Sequence, residues 1–289
     1  MRTFLRELEL ELCFRAPLRP DNLFGHLAAT MVPGVEEIRD GFYRRTLRLP
    51  GGPGVVALAP REDHVDCRLL LSRAADERAA VAQSRWLLDL DADPAEIDRA
   101  LARDPQLAPL VRAAPGRRVP RCVDGAEMAV RAVLGQQIST AAARTHAGRL
   151  AAAYGEPVDD PSGELTRLFP LPGALREASL AMPASRIRTL RALACALEDE
   201  TVSLRALTEL PGVGEWTAAI VAMRGLGDPD AFPASDLGVR RGAAALGLPS
   251  APAHLLRHAE AWRPWRAYAV QHLWALNDHP INHWPPAGR

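Results

Sequence analysis

The sequence contains no lysine: all 35 of its basic residues are arginine. Arginine stays charged and forms no Schiff base, so chemistry that runs through a lysine imine is excluded. Cysteine is scarce, with four in 289 residues. Cys13, Cys67, Cys122 and Cys195 are too scattered for a zinc or iron–sulfur spacing and read as buried or inert thiols rather than as a disulfide framework. Net charge is lacking too. The 35 arginines meet 35 acidic residues, so the whole chain has no basic footprint of a nucleic-acid binder, and only a local patch could serve. The apolar runs fall short of a membrane span. The segment from Met1 to Phe14 lacks the continuous apolar stretch of a signal peptide, which points to the cytoplasm, and the initial Met fits a free-standing chain. No His, Cys and Asp constellation has metal-site spacing.

What is present is a globular balance, 48% hydrophobic and 24% charged, over a length that allows a sizeable core and two domains. Alternation predicts strands over Thr3–Phe14, Phe42–Leu49, Val55–Leu58 and Val65–Leu71, parted by the Pro50–Pro53 turn and the charged Arg61–Asp63 loop. Asp21 is placed to cap a helix through Met31, and Asp76–Leu90 has helical periodicity. From about Leu101 strand patterns stop. Helices are predicted over Asp124–Ile138, Thr140–Tyr154, Arg186–Leu197, Leu204–Glu209, Glu215–Arg224, Asp236–Leu246, Pro252–Trp262 and Pro264–Leu276. The fold class this implies is α+β: a small antiparallel sheet domain with helices over residues 1–100, then an all-helical unit over 101–289.

One stretch of the helical part is unusual. Thr208–Ala218 reads TELPGVGEWTA, a turn between two apolar segments. Leu204, Leu207 and Leu210 recur at helical spacing before Pro211, which cannot continue that segment's hydrogen bonding. Gly212 and Gly214 permit unusual backbone angles and leave amides uncovered, and Val213 between them can plug inward. Trp216, Ile220 and Met223 then stripe the following helix. Such a hairpin puts bare amides at a helix N-terminus, where a phosphate binds, and it would grip a DNA backbone without reading sequence. Taken alone, an ordinary tight turn between helices explains the same residues.

Two further features carry more weight in combination. LPGVG is followed by GLGDPDAFPASDLGVRR over Gly225–Arg241, with Asp236 placed 22 residues after Gly214. This resembles the helix–hairpin–helix DNA glycosylases, with the hairpin at about residues 203–225. RAVLGQQIST (Arg131–Thr140), GVGEWTAAIVAMRG (Gly212–Gly225) and WRPWRAYAVQHLWAL (Trp262–Leu276) look like one branch, the bacterial 3-methyladenine DNA glycosylase II of the AlkA type. The resemblance covers nearly the whole chain, including the mixed N-terminal region.

That resemblance implies a site and a reaction. Breaking the bond between base and sugar leaves electrons on the base and positive charge on the sugar, and a carboxylate beside the sugar stabilises that charge and orients water. The resemblance assigns the carboxylate to Asp236; by pattern alone Asp236 equally well caps a helix, and Asp228 and Asp230 compete for the role. It also implies a base pocket lined by Trp216, Trp274, Gln136, Ile220 and Leu237. Trp274 lies nine residues after Trp265, on the opposite side of an ideal helix, so that helix is either fully buried or lines something. Electron-rich indoles attract a cation over the ring face, which suits a purine alkylated at a ring nitrogen.

DNA contacts are implied for Gln137, Gly212, Val213, Gly214 and Thr217. Gln137 stands at the position of the wedge that fills the gap left by an everted base, where the best-known member has an apolar residue. Ile220 and Leu237 stand where that member has tyrosines. Members that also cut the DNA backbone carry a lysine at the position of Trp216, so base release without strand cleavage is expected here. No catalytic cofactor is expected, though the family hairpin holds a monovalent cation, Na+ or K+, through carbonyls matching Thr208, Leu210 and Val213. His272 reads as a core hydrogen-bonder, and His279 and His283 have no visible partners in the pattern. The expected form is a monomer acting on double-stranded DNA that contains damaged bases, away from membranes. Two other readings stay open: a helix–hairpin–helix module that binds lesions without turnover, and the glycosylase part of a longer repair protein.

Overall fold

The computed structural model of the protein describes residues 6–286. Five antiparallel strands make one sheet: β1 (Arg6–Cys13), β2 (Glu36–Arg39), β3 (Phe42–Leu49), β4 (Gly52–Pro60) and β5 (His64–Leu71). Their order across the sheet is β1-β5-β4-β3-β2, so β1 and β2 are the edges. Edge strand β1 keeps the expected alternation: Leu8, Leu10 and Leu12 pair with Leu69, Cys67 and Val65, while Glu7, Glu9 and Glu11 face out. The part of that strand expected over Thr3–Leu5 lies outside the described residues. The other edge, β2, has the sequence EEIR, and its three charged residues in four hide it from any apolar alternation. Helix α1 (Pro20–Thr30) follows β1, and α2 (Glu77–Leu87) packs on the sheet through Ala80, Ser84 and Leu87.

The helical part comprises α3 (Pro94–Leu101), α4 (Ala108–Ala113), α5 (Gly125–Leu134), α6 (Thr140–Tyr154), α7 (Ala184–Glu198), α8 (Glu215–Arg224), α9 (Leu237–Ala245), α10 (Pro252–His258) and α11 (Arg266–Ala275). One apolar core runs through it from Ile97 to Trp274 and takes in Val32 and Val35, while a second core of Leu12–Leu90 lies under the sheet. The architecture is the expected α+β.

Local details differ from the pattern reading, each for a physical reason. Asp21 does not cap α1. The helix begins one residue earlier at Pro20, with Arg19 at the cap position, and Asp21 sits in the first turn paired with Arg19 and Arg117. The helix expected through Ile138 stops at Leu134, because Gln137 takes a left-handed conformation (φ 55°) that no helix interior accepts. Leu204–Glu209 forms only a 3-10 turn over Leu207–Glu209. Six residues, with Pro211 two positions on, are too few to nucleate a stable helix. Cys13 is exposed rather than buried, and all four cysteines are free thiols.

Sheet and helices are joined by a buried ionic network. Glu36 of β2 accepts from Tyr43 Oη at 2.6 Å, from Arg45 at 3.3 Å and from Arg131 of α5 at 3.1 Å. Glu127 of α5 accepts from Arg45 at 2.8 Å and Arg131 at 2.9 Å. Two carboxylates and two guanidiniums thus cancel in a place where either charge alone would be costly. Burial works against the Arg131 charge, but Glu36 and Glu127 overcome it and hold its pKa above the usual arginine value.

Candidate active site

The hairpin is built by two glycines with different jobs. Gly212 has φ +85°, and a Cβ there would meet Thr189 Oγ1 of α7 at 2.1 Å. Both the angle and the close approach require glycine. Gly214, expected to need the same freedom, is extended at φ −93° and caps α8; a Cβ there would meet nothing within 4 Å. No side chain there caps the first α8 amides. Val213 plugs into the core as expected. Among the described residues no helix is long and apolar enough to cross a membrane.

Asp236 stands at the N-terminus of α9 and does two things with one carboxylate. Oδ1 accepts the Val239 amide at 3.0 Å and so caps the helix. The same Oδ1 accepts Trp274 Nε1 at 2.9 Å, and Oδ2 accepts Trp216 Nε1 at 2.9 Å. Trp216 comes from the first turn of α8 and Trp274 from the last turn of α11, so three helices converge on one carboxyl group. Helix dipole and indole N–H groups all point positive ends at it.

Beside it opens a cavity of about 470 Å³, within the range that holds a small-molecule-sized ligand. Trp216, Ile220, Asp236, Leu237 and Trp274 line it together. Leu237 is 56% exposed at its mouth, Asp236 is half-buried, and Trp274 and Ile220 are buried. Asp228 and Asp230 are elsewhere. Asp230 pairs with Arg263 and Arg266, and Asp228 accepts the Asp230 amide.

Gln136, expected in the pocket, is not among its lining residues. Its Nε2 donates to the Gly212 carbonyl at 2.9 Å and to Thr217 Oγ1 at 3.0 Å, which ties the α5–α6 loop to the hairpin. Thr217, expected to face DNA, is buried with its hydroxyl in that bond. Arg186 of α7 clasps the Gln136 carbonyl from the other side. Gln137 is left exposed at the crest of this fixed loop, in its left-handed conformation. At the hairpin the Leu210 carbonyl accepts the Val213 amide at 3.0 Å and keeps a second lone pair.

The floor of the cavity is where the pattern reading gave least. It is made by His26 and Thr30 of α1, Arg131 of α5 and Arg224 at the end of α8. His26 is 6% exposed and its ring lies 5.6 Å from that of Trp274, tilted by 35°. Burial first, then the charges of Arg224 and Arg131, push its pKa well below the ordinary histidine value, so the ring is neutral. Arg224 is 7% exposed; its Nε donates to the Pro120 carbonyl at 2.7 Å, and no carboxylate among the described residues pairs with it. Burial, and next the charge of Arg131, push its pKa down to about 10. His279, which had no partner in the pattern, lines the same cavity and lies 3.4 Å from Thr140 Oγ1. His272 is buried as expected, but its Nδ1 finds no hydrogen bond.

The AlkA N-terminal domain family matches residues 9–124. The DNA-3-methyladenine glycosylase 2 of Escherichia coli K12 is 34% identical over 87% of this chain and 92% of its own. A probable bifunctional transcriptional activator/DNA repair enzyme AlkA of Mycobacterium tuberculosis is 56% identical over 96% of this chain, which spans only 59% of that relative's length. Among solved structures, a 3-methyladenine DNA glycosylase from Archaeoglobus fulgidus superposes with a TM-score of 0.78 at 22% identity, covering 93% of this chain and 97% of that one. At that identity the likeness shows the fold.

Proposed function

The chain belongs to the family of DNA-3-methyladenine glycosylase 2, and from that premise we propose that it is a monofunctional DNA glycosylase that flips an alkylated purine out of double-stranded DNA and hydrolyses its N-glycosidic bond. The observation that carries the reading is the convergence of Val239, Trp216 and Trp274 N–H groups on Asp236 at the mouth of a base-sized cavity. In this reading the C1′–N bond breaks with its electron pair moving to the base. The Asp236 carboxylate, held rigid by the two indoles, faces the positive charge left on the sugar and takes the proton of the water that attacks C1′. The tryptophan rings wall the everted base. The hairpin amides at Gly212 and Gly214 hold a backbone phosphate, while the Val213 amide, also expected there, is taken by the Leu210 carbonyl. Gln137, projecting from a loop fixed on both sides, fills the vacated stack and can hydrogen-bond the orphaned partner base. Carbonyls of Thr208, Leu210 and Val213 would hold the monovalent cation; oxygen donors suit such an ion, which adds charge beside the phosphate. Without a lysine, the product is an abasic site and no imine forms.

The direct test is incubation with methylated duplex DNA and chromatography of the freed bases. Release of methylated purines with the strands left intact supports the reading; no release by a folded protein sinks it. The 59% span of the mycobacterial relative favours a second, compatible reading, that this chain is the repair portion of a larger protein. Immunoblotting of the native polypeptide for its size decides that.

A further inference from the structure

The cavity floor carries an asymmetry that an aromatic pocket for cationic bases does not require. Of its two buried guanidiniums, Arg131 is spent: it donates to Glu36, Glu127 and the Thr30 carbonyl, so its charge and its donors are already met. Arg224 is not. Among the described residues only its Nε is engaged, by the Pro120 carbonyl, while its Nη atoms take no acceptor and are not sealed from the cavity that the residue lines. Beside it His26 presents ring nitrogens that also take no partner among the described residues. A guanidinium has donors and no acceptor, whereas a neutral imidazole has one of each.

We propose that Arg224 and His26 read the edge of the everted base farthest from the sugar and favour 6-oxopurines over 6-aminopurines. This rests on the glycosylase reading above. A lactam edge offers the carbonyl O6 to Arg224 and the N1–H to the unprotonated nitrogen of His26. An adenine-type edge offers an amine where Arg224 can only donate, which sets donor against donor on a buried cation. The same contact acts on the leaving group. As the C1′–N9 bond breaks, its electron pair spreads over the purine and onto O6. The Arg224 charge meets it there, while the water's proton goes to Asp236 and its oxygen to C1′. Neutrality of His26, imposed by burial and by the neighbouring arginines, keeps its accepting nitrogen available.

Methylated DNA contains both 7-methylguanine and 3-methyladenine, so one digest reads the preference as a ratio of freed bases. Arg224→Met and His26→Phe should each lower the ratio of 7-methylguanine to 3-methyladenine release, relative to the unaltered protein, by about ten- to a hundredfold, the loss of one hydrogen bond to or from a charged group. Arg224→Lys, which keeps a cationic donor, should restore part of it. A merely structural role for either residue would lower both rates together and leave the ratio unchanged, and that result overturns the proposal. His26→Phe leaves the Pro120 contact intact, so it decides the matter if the Arg224 variants do not fold. Should the unaltered protein release neither base, the glycosylase reading itself fails; should it release both while every folded variant keeps the ratio, only the present inference fails.

Discussion

Replacing Asp236 by asparagine separates chemistry from architecture. The asparagine oxygen can stay where Oδ1 is, still capping α9 through Val239 and accepting Trp274 Nε1, at 3.0 and 2.9 Å in the parent. Its amide then faces Trp216 Nε1, at 2.9 Å from the lost oxygen, donor against donor. Asparagine caps helices as well as aspartate does, and Trp216 is only half-buried and can turn toward solvent. The expected stability loss is therefore about 1–2 kcal/mol. The catalytic loss is larger. A unit positive charge on the sugar about 4 Å from the carboxylate, at an effective dielectric of about 20, is worth about 4 kcal/mol. That corresponds to about a thousandfold in rate before any loss of proton transfer. Single-turnover base release from methylated DNA should fall by at least that factor, while affinity for duplex containing an uncleavable abasic analogue stays within several-fold. Trp216→Phe, which keeps the ring but removes one N–H from the carboxylate, should cost less, about tenfold or somewhat more. A folded Asp236→Asn protein that releases bases within tenfold of the parent would refute the assignment.

The hairpin glycines should separate cleanly: Gly214→Asp, in open space at a relaxed angle, should weaken DNA binding at all sequences alike without changing the melting temperature. Gly212→Ala, forced against Thr189 at positive φ, should lower the melting temperature, by at least the ~1 kcal/mol that a left-handed non-glycine residue costs. Calorimetry and filter binding read the two effects. Stability should decline in acid through the buried histidines. Burial first, then the charge of Arg117, lowers the His272 pKa to about 3, so below the ordinary value of about 6.5 the unfolded chain takes up a proton the folded one refuses. The loss is absent above about pH 6.5 and grows by up to about 1.4 kcal/mol per pH unit for each such group as pH falls toward His272's own value, and His272→Gln should flatten the melting curve's dependence on pH. Borohydride treatment during turnover should trap no lysine adduct with DNA, and mass spectrometry of the complex checks it.

Strongly periodic elements were legible in the sequence. Thr140–Tyr154, Glu215–Arg224 and Phe42–Leu49 form with the bounds their patterns imply. Strand β2 was not legible, because its inward residue is Glu36, a charge that a distant arginine neutralises. At the site, Asp236, Trp216 and Trp274 could be singled out because their motifs lie in single short stretches. Gln136 and Thr217 could be singled out too, and they bond to each other and, through the Gly212 carbonyl, to the hairpin. Their side chains can serve either purpose, and only their neighbours decide. Gly214 misled in another way, since glycine marks both strained turns and bare surfaces and the sequence does not distinguish them.

Composition by itself determined that this chain offers no lysine side chain, and periodicity determined a sheet followed by helices, because that pattern depends on residues close together in the chain. Tertiary structure alone decided what the cavity floor is made of. His26, Arg131 and Arg224 come from three helices spread over some 200 residues of sequence, and what sets their chemistry is which of them finds a carboxylate. Among the described residues Arg131 finds two and Arg224 none. A charge is silent or available according to its partners in space, and no local pattern carries that information.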